Sequence, residues 1–171
     1  KGQIAQRDLV VNSLRMRPDR IIVGEVRSSE VWDMLTAMNT GHAGSLTTVH
    51  ANSASDALSR LEIMAMLAGY EVSERTLQTI IGRSIDVIVH LNRFATGERK
   101  MISISEIGTD EHGKYTIRDF FRFTPSGIED GKMRGSFGNL TRKVSARLSE
   151  KAAMAGIGGA SFEAHLEEEV L

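Results

Sequence analysis

The sequence predicts an α/β protein: a mainly parallel sheet with helices on both faces, extended by an antiparallel hairpin. Three observations predict it. RIIVGEVR (20–27) holds a short continuous apolar run of the kind a strand buried on both faces shows. SLTTVH (45–50) alternates as a second strand, with Thr48 and His50 on one face and Thr47 and Val49 on the other. Between them lies a segment of helical period, and strand–helix–strand order implies parallel pairing.

Each element follows from local pattern. Residues 6–16, QRDLVVNSLRM, place Val10 and Leu14 four apart, and Pro18 closes the helix because the residue before proline disfavours helical angles. In SSEVWDMLTAMNTG, Val31, Met34, Leu35 and Met38 fall at i, i+3, i+4 and i+7. Ser28 or Ser29 is positioned to cap, and Gly41 to stop. Ser53–Asp56 opens a helix to about Ala68, and SERTLQTIIGRS (73–84) is another. DVIVHLNRF (86–94) reads as a strand, and 99–107 and 115–123 alternate around the turn TDEHGK. After Phe123 the polar, glycine-rich PSGIEDGKMRGSFGN reads as a loop or linker. A modest helix over 140–155 follows, then an acidic end with Glu167–Glu169 solvated.

Composition narrows the functional classes. With 171 residues, 41% hydrophobic and 25% charged, the chain can bury a sizeable core. A net charge of −1 supplies no global basic field for nucleic acid. Cysteine is absent, which excludes disulfides and thiolate metal sites within the chain. No apolar run approaches the roughly 20 residues that span a bilayer. The chain starts at KGQIAQRDLV, already inside structured pattern, and is expected to continue a longer protein.

Candidate chemistry gathers at the strand ends, where open parallel sheets bind ligands. Glu25 follows the first strand, and a carboxylate there costs desolvation unless something uses it. The alternative is a simple ion pair with Arg27 or Arg20. GHAGSLTTVHAN (41–52) carries His42 and His50, two of only five histidines. Three readings stand open for them: metal ligands with Glu25 or Asp33, a helix-end role for His42, or donation to a phosphate oxygen beside the hydroxyls. Helical metal spacing (H-x-x-x-H) is absent. Arg15, Arg17 and Arg20 read as a solvated loop; Met34, Met38, Met64 and Met66, and Phe120, Phe121 and Phe123, read as packing residues.

RPDRIIVGEVR, a helix, and then NTGHAGSLTTVHANSASDALSRLE together resemble the type II/IV secretion ATPase superfamily, and within it the tight-adherence (Flp) pilus assembly ATPases of CpaF type. The resemblance runs from about Gly2 to Phe123, with a weaker match in the tail. It implies a C-terminal part of a RecA-like P-loop NTPase domain over 1–123, followed by a linker and helical tail over 124–171. IIVGE is similar to the family's Walker B, which makes Glu25 the residue that polarises the attacking water or holds Mg²⁺ through water. GHAGSLTTVHAN is similar to the His box, in which His50 reaches the γ-phosphate and His42 shapes the loop; Arg27 and Thr48 join the nucleotide contacts. The implied cofactors are ATP and Mg²⁺. The implied partners are further copies, by family pattern a hexamer, and an inner-membrane platform protein, with no direct nucleic acid, on the cytoplasmic face of the inner membrane. The nearest alternatives are a conjugation-type DNA-transfer ATPase, a non-catalytic assembly module and a histidine-dependent metal hydrolase.

The family's phosphate loop, G-x-x-x-x-G-K-[ST], is expected upstream of Lys1. GTDEHGKY (108–115) imitates it but lies between strand-like flanks, carries two acidic residues, and has Tyr115 where the magnesium hydroxyl belongs. The chain alone is therefore expected to hydrolyse ATP negligibly.

Overall fold

A computed structural model describes residues 2–141 and 143–157. The acidic end read from sequence lies outside the described residues. The chain divides into two compact units, Lys1–Ile85 with Ile107–Thr116, and Asp86–Glu106 with Ile117–Leu171.

The first unit contains α1 (Gln6–Leu14), β1 (Ile22–Val23), α2 (Glu30–Asn39), β2 (Leu46–Thr47), α3 (Ala54–Leu67) and α4 (Glu74–Ser84). The predicted helical stripe of α2 is its buried face: Val31, Met34 and Leu35 are sealed, with Met38 half-buried. They meet Leu58 and Ala65 of α3 and Leu77 and Ile81 of α4 in one core. Ser84 Oγ lies 3.0 Å from the Leu35 carbonyl and ties α4 to α2 by a buried polar contact. Gly82 lets α4 lie close to the turn between the long strands described below: a Cβ there would meet Thr109 Cγ2 at 2.5 Å. Arg7 of α1 donates to Asp33 at 2.7 Å and to the Tyr70 hydroxyl, and Tyr70 stacks on Trp32 with ring centres 4.6 Å apart.

Serines cap α3 and α4, where Ser53 and Ser73 accept the N–H groups of Asp56 and Thr76. At α2 they do not. Neither Ser28 nor Ser29 caps; instead Glu30 reaches back, and its Oε1 accepts N–H from Arg27 at 2.6 Å and from Ser28 at 3.0 Å.

The expected parallel sheet is reduced to a two-stranded pair, with Ile22 opposite Leu46 and Val23 opposite Thr47. Strand β1 is not buried on both faces: Ile21 and Val23 are sealed while Ile22 is 74% exposed, as is its partner Leu46 at 60%. The helices cover one side of the pair, so alternation replaces the continuous burial that the apolar run suggested.

In the second unit the strand pairs at both edges of the sheet are antiparallel. Its sheet runs β3 (Val87–Arg93), β4 (Arg99–Thr109), β5 (Tyr115–Glu129) and β6 (Lys132–Asn139) in spatial order. The ends of β4 and β5 nearest their shared turn belong to the first unit. Among the described residues antiparallel pairing therefore exceeds parallel pairing. Residues 124–139, read as a loop or linker, form the β5–β6 hairpin. Asp130 and Gly131, with φ of 51° and 71°, make its tight turn. Phe123 pairs with Phe137, and Gly135 leaves room for the Phe123 ring, which a Cβ would meet at 2.5 Å. Glu98, in the β3–β4 turn, accepts the Met133 N–H at 2.6 Å. The predicted tail helix is α5 (Ala146–Met154), held by Asp86 to Arg147 at 2.6 Å and to Lys151 at 2.7 Å. Of the methionines and phenylalanines read as packing, Met34, Met64, Phe120 and Phe123 are buried, but Met66 is 59% exposed.

Candidate functional site

Parallel pairing of β1 with β2 brings the ends of both strands together. Beyond the two ladder pairs, Val26 N–H donates to the Thr48 carbonyl at 3.0 Å and Thr48 Oγ1 donates to the Gly24 carbonyl at 2.5 Å. Gln6 adds its side-chain amide to the Glu25 carbonyl at 2.6 Å. Backbone on both sides of Glu25 is thus fixed by hydrogen bonds, which orients a short side chain better than loop packing does.

The Glu25 carboxylate stands between the Arg27 guanidinium and the His50 imidazole. Its Oε1 accepts from Arg27 Nη2, and its Oε2 lies 3.3 Å from His50 Nε2. Oε2 is shielded and accepts no hydrogen bond. The Arg27 hydrogen bond is the main reason the Glu25 pKa falls below its ordinary value; partial burial opposes it, and the charges of Arg27 and His50 add to it. The same pairing raises the Arg27 pKa. Glu25 is therefore an ionised carboxylate at neutral pH, with one oxygen engaged and one unsatisfied.

Of the residues singled out in the sequence, Glu25, Arg27, Thr48 and His50 meet here. The ion pair with Arg27 weighed for Glu25 forms, alongside the approach of His50. His42 has a different role. Its N–H donates to the Ala37 carbonyl at 3.3 Å at the end of α2, and its carbonyl accepts from Ser45 Oγ at 2.7 Å. Ser45 Oγ also accepts the Ile21 N–H at 2.9 Å, so the His42 loop is tied to the start of β1. The imidazole Nδ1 is buried without a partner, so it supplies no bond to the helix-end carbonyls. No group of three or more His, Asp or Glu able to hold a metal occurs among the described residues. Glu30 went unrecognised in the sequence beyond its place in the first helical turn. Its carboxylate, in a residue only 4% exposed, holds the N–H groups that set the Arg27 loop. The signal was an acidic residue three places after the arginine at a helix start.

The GTDEHGKY segment is a hairpin turn, as its flanks indicated. Asp110 N–H donates to the Lys114 carbonyl at 2.8 Å, and Asp110 Oδ1 accepts from the N–H groups of His112 and Lys114.

The glutamate and the histidine thus lie at adjacent ends of two parallel strands in an α/β chain, the edge at which open α/β sheets take ligands in general. The chain belongs to the type II/IV secretion system protein family, whose pattern matches residues 1–141. It is similar to the conjugal transfer protein TrbB of Rhizobium radiobacter, with 45% identity over 53% of this chain and 27% of that one. It is also similar to the protein VirB11 of Rhizobium radiobacter, with 34% identity over 52% and 26%. Among solved structures it is similar to the VirB11 ATPase from the Brucella suis type IV secretion system in complex with sulphate. That match has a TM-score of 0.57 and 26% identity, over 60% of this chain and 32% of that one. The chain spans less than a third of the length of these relatives.

Proposed function

We propose that this chain is the C-terminal part of a RecA-like ATPase domain, carried on residues 1–123, in a protein that powers pilus assembly or protein secretion. The observation that carries the reading is an ionised Glu25 at the end of β1, 3.3 Å from His50 at the end of the adjoining strand segment, in a chain of this family. Phosphoryl transfer depends on positioning and charge stabilisation more than on covalent chemistry. Glu25 polarises the attacking water or holds Mg²⁺ through water, His50 and Arg27 stabilise phosphate charge, Thr48 holds the strand end, and His42 shapes the loop before β2. Magnesium is coordinated by oxygen from one or two carboxylates together with substrate phosphates, and the unsatisfied Glu25 Oε2 fits that donor set through a water. When bound, the ion neutralises charge on the transferred group.

The phosphate loop is supplied from outside this chain, so the chain alone releases phosphate at background rate. The parent works as a homo-oligomer, by family pattern a hexamer, on a platform protein at the cytoplasmic face of the inner membrane. No helix among the described residues is long and apolar enough to cross a membrane. The test is Glu25→Gln in the full-length protein. Loss of about 100-fold or more in ATP turnover is expected when the carboxylate that positions the attacking water is removed. Unchanged turnover and unchanged pilus or secretion output would move the protein to a non-catalytic assembly role.

A second reading, conjugal DNA transfer, is favoured by one observation: TrbB, at 45% identity, is a conjugal transfer protein. Deleting the gene and scoring mating frequency beside surface pili separates the two.

A further inference from the structure

Glu25 is gripped on one oxygen and covered on the other. Arg27 Nη2 occupies Oε1, and the His50 imidazole stands over Oε2 at 3.3 Å. We propose that Arg27 and His50 form a clasp that keeps the Glu25 carboxylate from a metal-bound water until a polyphosphate draws both side chains away. This rests on the nucleotide reading for what arrives; the clasp itself is a property of this chain.

Three features make it a clasp rather than a fixed salt bridge. Arg27 and His50 side chains are 71% and 84% exposed, so each has open space to swing outward while remaining attached to an ordered backbone. That backbone is anchored by Glu30 at Arg27 and by the Val26–Thr48 bond before His50, so motion is confined to the side chains. Exposed ion pairs are also held weakly, and a guanidinium fork fits phosphate as well as it fits carboxylate. A multiply charged phosphate therefore outcompetes the single Glu25 charge. Release would leave Oε2, already without a hydrogen bond, joined by a free Oε1. Glu25 would then become available to metal-bound water only when the phosphate is in place, which guards against idle binding of the cation alone.

The clasp is tested on this chain with Mn²⁺ alone, a paramagnetic stand-in for Mg²⁺, by following amide broadening at residues 24–27 and 48–50. At one fixed Mn²⁺ concentration, the Arg27→Gln/His50→Ala double variant should broaden several-fold more than wild type around Glu25. Adding Glu25→Gln should remove the gain. Because His50→Ala also deletes a metal-binding nitrogen, any gain is measured against that loss. Equal or weaker broadening in the double variant overturns the clasp. If the double variant loses its dispersed spectrum, Arg27→Lys alone serves, since it retains the charge and loses the fork; an intermediate gain supports the clasp and none overturns it. Failure of the ATPase reading shows separately, as unchanged turnover of full-length Glu25→Gln, and leaves the Mn²⁺ result standing.

Discussion

The side-chain amide of Gln6 donates to the backbone carbonyl of Glu25 at 2.6 Å, joining the first residue of α1 to the main chain of the strand-end glutamate nineteen positions later. The bond is exposed, so its net contribution lies at the low end of about 0.5–1.5 kcal/mol. Gln6→Ala should barely change global stability but should speed amide exchange at Val26, leaving the core helix α3 protected. Unchanged exchange at Val26 would show that the strand end is held without Gln6.

Gly82→Ala should destabilise the first unit although alanine is the better helix former by about 1 kcal/mol. The added Cβ meets Thr109 Cγ2 at 2.5 Å and the Gly108 carbonyl oxygen at 3.1 Å. Overpacking of this kind costs about 1–3 kcal/mol. The midpoint of urea unfolding should fall; a rise would mean the turn moves aside freely.

Glu98 predicts a pH dependence in the second unit. Its pKa is lowered first by the Met133 N–H hydrogen bond, with burial opposing and the Lys100 charge assisting. A folded pKa below the unfolded value means the folded state binds its proton less readily. The stabilisation is complete above the ordinary carboxylate range, near pH ~4, and is lost as pH falls through the lower folded value. Protection of the Met133 amide, corrected for intrinsic exchange, should drop over that acidic window in wild type and stay flat in Glu98→Gln.

The β5–β6 turn offers a backbone test. Gly131 has φ of 71°, where a side chain costs roughly 1–2 kcal/mol. Gly131→Ala should weaken the nuclear Overhauser contacts between the paired residues Ile128 and Met133 and lower the melting temperature of the hairpin. Contacts of undiminished intensity would place the turn in another conformation.

How far the sequence could be read depends on which residues carry a period. Helices α2, α3 and α4 were legible because one face of each is buried and the other is not. Hairpin β5–β6 was not, because Thr124–Asn139 is largely exposed on both faces and shows little apolar alternation. Its Asp130-Gly131 dipeptide was the available signal, outweighed by surrounding glycine and polar residues. The sheet is less buried than its sequence suggests: Ile21, Ile22 and Val23 look alike in sequence, yet only the first and third are covered. At the site, Glu25 and His50 were legible as strand ends. The grip of Arg27 on Glu25 was open as one alternative of two arginines. Glu30 was hidden because a buried carboxylate that binds backbone N–H groups looks in sequence like any acidic residue in a first helical turn.

Trp32 is the only tryptophan in the chain, and its ring lies flat against Tyr70, whose hydroxyl is held by Arg7. Arg7 follows Gln6 directly, so a shift of the strand end that pulls on Gln6 reaches the ring pair within one residue. The protein therefore contains a natural optical reporter: intrinsic fluorescence on excitation of its single indole registers displacement of α1 without any attached dye.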